Sequence, residues 1–202
     1  MHVAGRGGAA PSERPRGIRT RSAWLLAVPF LVLARPRPEL LGVGALLASL
    51  GLLLRGWAAG VIRKDEVLTT AGPYAHLRHP LYAGSFLIGI GLGVAGGHWA
   101  WAILVIVFFL ATYRGAIEEE GERLGRLFGS RYREYSEQVP ALVPRLMPYR
   151  PRGEGAARAP GVPPPSDDGF SWSRYLRNRE WQALLGTAAA LAVLAAKAVW
   201  LG

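Results

Sequence analysis

Cysteine is absent from all 202 residues, which removes a disulfide framework, a thiolate metal site and a cysteine nucleophile together. Histidine is sparse, and His2, His76, His79 and His98 are too scattered for a convincing metal cluster. Lysine is nearly missing: 22 of the 24 basic residues are Arg, leaving Lys64 and Lys197. Charged residues make up 19% of the chain against 50% hydrophobic, and the two are segregated. Apolar stretches with almost no charge alternate with short segments that hold nearly all of the arginine. A soluble globule spreads charge over every element, so this pattern argues for a membrane protein. The length has room for one domain.

The apolar runs define the organisation. Residues 1–22 are rich in Gly, Pro and Arg without hydrophobic periodicity, which predicts a disordered basic arm. Ala23–Ala34 is a first apolar run, followed at once by Arg35-Pro36 and with no small-x-small cleavage site, so it reads as an uncleaved membrane helix or half-helix. Glu39–Ile62 is long enough to span at about 1.5 Å per residue. Arg55 lies inside that span and is expected either to snorkel to the surface or to face a polar cavity. Leu81–Ala95 and Trp99–Tyr113 form a helical hairpin around a tight Gly96-Gly97-His98 turn. Gly89, Gly93 and Gly97 recur every fourth residue, a packing stripe; no strand precedes them, which excludes a nucleotide loop. Residues 148–169 read as a Pro/Gly-rich linker, and 170–202 as an aromatic and arginine-bearing interfacial segment followed by a last membrane helix.

Twenty of the 24 basic residues fall in the arm, the 63–80 loop and the 114–180 region. By the positive-inside rule these segments lie on the cytoplasmic side, together with the N-terminus. The net charge of +10 is thereby a record of topology, and nothing in the chain calls for nucleic acid as a partner.

Two of these inside segments carry unusual chemistry. In Glu66–Gly84, Gly72-Pro73 makes a turn and Pro80 sits where a helix start favours it, so Arg78, His79 and Tyr82 gather at a helix N-terminus suited to an anion. In the second, Glu118, Glu119 and Glu120 are consecutive carboxylates where a basic flank is normal. Adjacent helical positions are about 100° apart, so at most two can face one site, and pairing with Arg123 and Arg126 on a solvated surface is the plainer reading of the three alone.

Read together, Gly72-Pro73-Tyr74, Arg78-His79-Pro80-x-Tyr82-x-Gly84 and, about 35 residues on, the acidic run with Leu124, Phe128-Gly129-x2-Tyr132-x2-Tyr135 and Val139-Pro140 resemble the isoprenylcysteine carboxyl methyltransferase family, to which phospholipid N-methyltransferases are related. The likeness covers about residues 40–147. It implies an all-α fold, an integral membrane helical bundle of about five membrane helices with a cofactor pocket at the cytosolic face, closed by the segment after the last core helix. The core would then be residues 23–147. The implied cofactor is S-adenosyl-L-methionine, lined by Glu66, Val67, Leu68, Thr69, Tyr74, His79, Pro80, Leu81 and Tyr82, with Glu120 as the cofactor glutamate eight residues before the Phe-Gly pair. The implied partners are the membrane and a lipid or lipidated acceptor, and a bacterial inner membrane is the expected location.

Two positions depart from the family pattern. Gly121 stands where a second glutamate is usual, and Ala116 where prenylcysteine enzymes carry an arginine for the substrate carboxylate; the nearest substitute is Arg114. These retain cofactor binding and leave the acceptor open between a carboxylate and a phospholipid or other amine. The sequence offers no obvious proton-transfer pair, which favours a carboxylate, since that nucleophile is already ionised at neutral pH. A membrane reductase and a non-catalytic scaffold are the remaining readings, and no metal or catalytic side chain is assigned.

Overall fold

The computed structural model describes residues 26–64, 66–151 and 169–201. The basic arm and most of the linker lie outside these residues, as do the first residues of the Ala23–Ala34 run. Residues 26–33 are helical (α1). There follow α2 (Pro38–Val61), a 3-10 turn (Gly72–Ala75), α3 (Pro80–Ala95), α4 (Trp99–Phe128), α5 (Ser130–Gln138), α6 (Trp172–Arg177) and α7 (Trp181–Leu201). Every described regular element is helical. Three helices (α2, α4 and α7) are long and apolar enough to cross a membrane. α3, with 16 residues, reaches about 24 Å.

Local chemistry sets the boundaries. Pro38 and Pro80 occupy the first turns of α2 and α3, where a missing N–H costs nothing and the fixed φ suits a helix start. The hairpin turn between α3 and α4 depends on Gly97, at φ +85°, with the carbonyl of Arg35 packed where a side chain would be; His98 then caps α4 by accepting from the Ala100 N–H at 3.1 Å. α4 does not stop at the end of its apolar half. It continues without a break through the glutamates to Phe128, where Gly129 at φ +57° redirects the chain into α5.

α2 and α3 form the centre. A Cβ on Gly51 would stand 2.6 Å from the Gly84 carbonyl oxygen, and one on Gly91 would stand 2.6 Å from that of Gly44, so the backbones themselves are in contact. Lipid tails are as apolar as leucine, so membrane helices associate through such close packing rather than through hydrophobic exclusion. The expected stripe of Gly89 and Gly93 lies on a different face of α3, against Val105 and Ala102 of α4. α3 is thus packed on both sides. Large apolar side chains such as Leu46, Leu53, Val107 and Leu110 point outward, as a lipid-facing surface requires.

α7 closes the bundle. Its Leu194 is fully buried with Ala34 and Ala95, and Lys197 donates to the carbonyls of Leu31 and Val32 at the end of α1. At the other end Arg55 has a partner of opposite charge. Its guanidinium meets both carboxylate oxygens of Glu180, at 2.9 and 2.7 Å. Breaking such a pair on one side leaves an uncompensated charge.

The α2–α3 contact predicts that Gly91→Val lowers stability by about 1–3 kcal/mol or more, because backbone rather than a movable side chain blocks the new carbons. Gly42→Ala, with nothing within 4 Å, should leave the melting temperature in detergent unchanged or raise it.

Candidate functional site

The loop between α2 and α3 is shaped by the turn at Gly72 (φ +57°) and by a backbone partner distant in sequence. Residues 139–149 run along it as a strap. The N–H groups of Arg78 and His79 donate to the carbonyls of Pro140 and Ala141 at 2.9 and 3.0 Å, and those of Arg145 and Tyr149 donate to His76 and Ala75 at 3.0 and 2.8 Å. The Tyr135 hydroxyl adds a bond to the Tyr74 carbonyl at 2.7 Å, and the strap and α5 are packed through Tyr132, Tyr135, Val139 and Tyr149. The anion site expected at the start of α3 is correspondingly reduced. The strap takes the N–H of His79 at the cap position and of Arg78 before it, Pro80 has none, and the Tyr82 N–H turns back to the His79 carbonyl at 3.1 Å.

Beneath the strap, His79 is 5% exposed and its Nδ1 lies 3.7 Å from a carboxylate oxygen of Glu120. Its ring stacks on Tyr82 at 5.5 Å, and the aromatic chain continues through Tyr113 at 5.1 Å to Phe109. The Tyr82 hydroxyl also bonds Glu120. Glu120 is the member of the acidic run in contact with His79: Glu119 and Glu118 are exposed, and Glu118 is paired with Arg114 at 3.4 Å. Gly121 has a local reason. A Cβ there would stand 3.2 Å from the Tyr132 hydroxyl, which in turn faces Arg78 Nη1 at 3.5 Å.

The fold therefore brings together Tyr74, Arg78, His79, Pro80, Leu81, Tyr82 and Glu120. It does not do the same for the whole of Glu66–Thr69. Glu66 and Val67 are exposed, Leu68 packs against the tyrosine cluster of α5, and Thr69 accepts from the Arg63 N–H at 3.3 Å. Arg114 is 85% exposed in its side chain and lines a groove of about 200 Å3 with Phe109, Tyr113 and Leu142. A larger groove of about 590 Å3 lies further along the chain, beside Gly125, Gly129, Tyr132 and Arg133. The aromatic chain through Tyr113 is the part that sequence reasoning missed. Its signal was an aromatic at the end of an apolar run, which is also what a membrane-interface anchor looks like.

Three buried polar atoms here have no hydrogen-bond partner among the described residues: Tyr74 Oη, Arg78 Nε and His79 Nε2. Unsatisfied buried polar groups are rare and costly, and three in one place fit a polar ligand. Burial, with Glu120, Tyr135 and Glu180 adding to it and Arg55 opposing, pushes the Tyr74 hydroxyl far above the ordinary tyrosine range, so it is a protonated donor. Among the described residues no group of His, Asp or Glu is arranged to hold a metal ion.

Residues 42–131 match the phospholipid methyltransferase family model. The chain is 32% identical over 83 residues to the protein-S-isoprenylcysteine O-methyltransferase of Schizosaccharomyces pombe, covering 41% of this chain and 35% of that one. Its membrane core is thus similar to the phospholipid methyltransferase family model and to protein-S-isoprenylcysteine O-methyltransferases. The human protein-S-isoprenylcysteine O-methyltransferase is 35% identical over 79 residues, covering 39% of this chain and 28% of that one. Cobalt-zinc-cadmium resistance protein CzcN of Cupriavidus metallidurans is 37% identical over 115 residues, covering 56% and 53%. The chain thus spans about half the length, or less, of the curated relatives it matches. No solved structure matches it. These similarities, with the apolar helices, support a membrane methyltransferase.

The strap's dependence on one buried bond is open to test. Tyr135→Phe leaves the Tyr74 carbonyl short of a partner and should lower stability by about 1–3 kcal/mol, read as a reduced denaturation midpoint in detergent.

Proposed function

We propose that the chain transfers a methyl group from S-adenosylmethionine to a lipid-like acceptor at the cytoplasmic face of a membrane, in a carboxyl O-methylation of the isoprenylcysteine type. The observation that carries this reading is the cradle of His79, Tyr82 and Glu120 together with the three unpartnered polar atoms beside it. When bound, S-adenosylmethionine supplies a methyl group on a positively charged sulfur. The residues fit such a cofactor. The Glu120 carboxylate suits ribose hydroxyls or an ammonium, the Tyr74 hydroxyl and the Arg78 guanidinium suit a carboxylate, and the faces of Tyr82 and Tyr113 suit a cation.

The contribution of the protein is then positioning. Tyr82 is held between His79 and Tyr113, and the strap covers the loop from the water side, so the reacting groups are aligned and water is kept out. A carboxylate acceptor is ionised at neutral pH and requires no base. The groove between Tyr113, Arg114 and Leu142 is where its head would enter, with Arg114 leaving Glu118 to meet it.

A second reading, methylation of a phospholipid or other amine, is favoured by one observation. His79 and Glu120 lie 3.7 Å apart, and a histidine beside a carboxylate can take the proton that an amine must lose. This supplies the proton-transfer pair that the sequence did not show; the carboxylate stays the first reading because the core is similar to protein-S-isoprenylcysteine O-methyltransferases.

Methyl transfer from radiolabelled S-adenosylmethionine decides the matter, with purified protein in detergent offered a small prenylcysteine and a total membrane-lipid extract in parallel. Base-labile label released as methanol is expected, reduced at least 100-fold in His79→Ala and Glu120→Ala, the scale on which misplaced positioning groups cost rate. Base-stable label in the lipid fraction assigns the amine reading. Absence of both transfer and cofactor binding in the wild-type protein overturns the proposal in favour of a scaffold or reductase.

A further inference from the structure

The helices α6 and α7 lie outside the matched residues 42–131, yet their junction is locked onto the end of α2. The ring of Phe170 packs on Gly60, where a side chain would collide with it, and the ring of Tyr175 stands 3.5 Å from where a Cβ on Gly56 would be. The carbonyls that α2 leaves free at its C-terminus are taken from the same side. Arg174 Nε donates to Gly60 at 2.7 Å, the Ser171 N–H to Gly60 at 2.9 Å, and Asn178 Nδ2 to Ala59 at 2.8 Å.

This docking delivers Glu180 to Arg55. The two side chains are 8% and 20% exposed, and the contact is bidentate. Arg55 is not spent on Glu180 alone. Its Nη1 also donates to the Leu81 carbonyl at 3.2 Å and to the Ser85 hydroxyl, which itself bonds Leu81 at 2.8 Å. Leu81 and Ser85 belong to the first turns of α3, the turns that begin at Pro80 and carry Tyr82, immediately after His79. A carboxylate brought in by the C-terminal helices thereby fixes an arginine that fixes the start of α3.

We propose that Glu180 is a positioning residue for the cofactor cradle, acting through Arg55 on the first turns of α3, so that the C-terminal helical pair is a working part of the methyl-transfer site. The inference rests on the methyltransferase reading above. It differs from a lid, because Glu180 reaches the cradle through the protein interior, and from a mere anchor, because the end of the relay is the backbone that orients His79 and Tyr82. Other contacts of α7, such as Lys197 with the end of α1, hold the helix without touching this relay.

The test separates holding from positioning. Glu180→Gln alone leaves Arg55 with an uncompensated charge and should lower both stability and affinity. In the double variant Arg55→Met with Glu180→Gln no charge is left unpaired, so melting in detergent should return close to the wild-type value, whereas the bonds to Leu81 and Ser85 are gone. Titration with S-adenosylhomocysteine should then still show a Kd raised about tenfold, the scale of one lost charge-assisted hydrogen bond. Lys197→Met should lower the melting temperature and leave that Kd within about twofold, well inside a single hydrogen bond's effect. Ser85→Ala, a small change on α3 itself, should raise it about threefold, in line with a single weakened bond. A double variant that binds S-adenosylhomocysteine as the wild type does, or, where that variant fails to fold, a Ser85→Ala protein with unchanged Kd, overturns the positioning role and leaves the methyltransferase reading intact. A wild-type protein that does not bind S-adenosylhomocysteine overturns both.

Discussion

Where lipid surrounds a helix, burying apolar side chains against a neighbour gains little, and two helices stay together only by bringing their backbones close. Gly44 and Gly51 on α2 and Gly84 and Gly91 on α3 meet this condition, leaving no room for a Cβ between the two helices. The rest of the molecule is hung from that contact. It sets the loop between the two helices at one end of the bundle, it holds α3 at the angle that lets Gly89 and Gly93 receive α4, and it places Arg55 against the first turns of α3. A shift at this seam would move each of these together.

The candidate site is assembled where this rigid pair meets the less apolar part of the chain. The loop between α2 and α3 carries Tyr74, Arg78 and His79; the C-terminal half of α4 supplies Glu120; the strap after α5 is held to that loop by backbone hydrogen bonds. His79 has the smallest latitude. It is confined by the helix start at Pro80, by the strap at Ala141, by the ring of Tyr82 and by Glu120. The similarity of the core to methyltransferases and this confinement point the same way, since transfer of a group between two bound partners depends on their alignment.

Much of this was legible in the sequence wherever the cause is local. Pro80 announced the start of α3, Gly96-Gly97-His98 the hairpin turn, and the 100° step between helical neighbours the restriction that leaves Glu120 inward with Glu118 and Glu119 exposed. What stayed hidden joins residues far apart. Arg55 was plainly anomalous inside an apolar span, but its partner Glu180 lies 125 residues away, beyond a stretch of Pro and Gly that carries no register. The pairing of His79 with Glu120 was equally unreadable, because it depends on how far α4 continues past its apolar half. The glycines of the α2–α3 seam were masked by number: with 26 in the chain, a spacing of seven between Gly44 and Gly51, repeated between Gly84 and Gly91, did not stand out from the more obvious stripe at Gly89 and Gly93.

The strap has a further consequence. It is attached mainly through main-chain N–H and C=O groups, with Pro140, Ala141, Arg145 and Tyr149 as the points of attachment, while Val143, Leu146 and Met147 between them stand largely in the open. Main-chain bonds are indifferent to the side chain that carries them. Evolution is therefore free to rewrite the outward residues of this segment without loosening its attachment, so the cover of the candidate site is also the part whose composition folding constrains least.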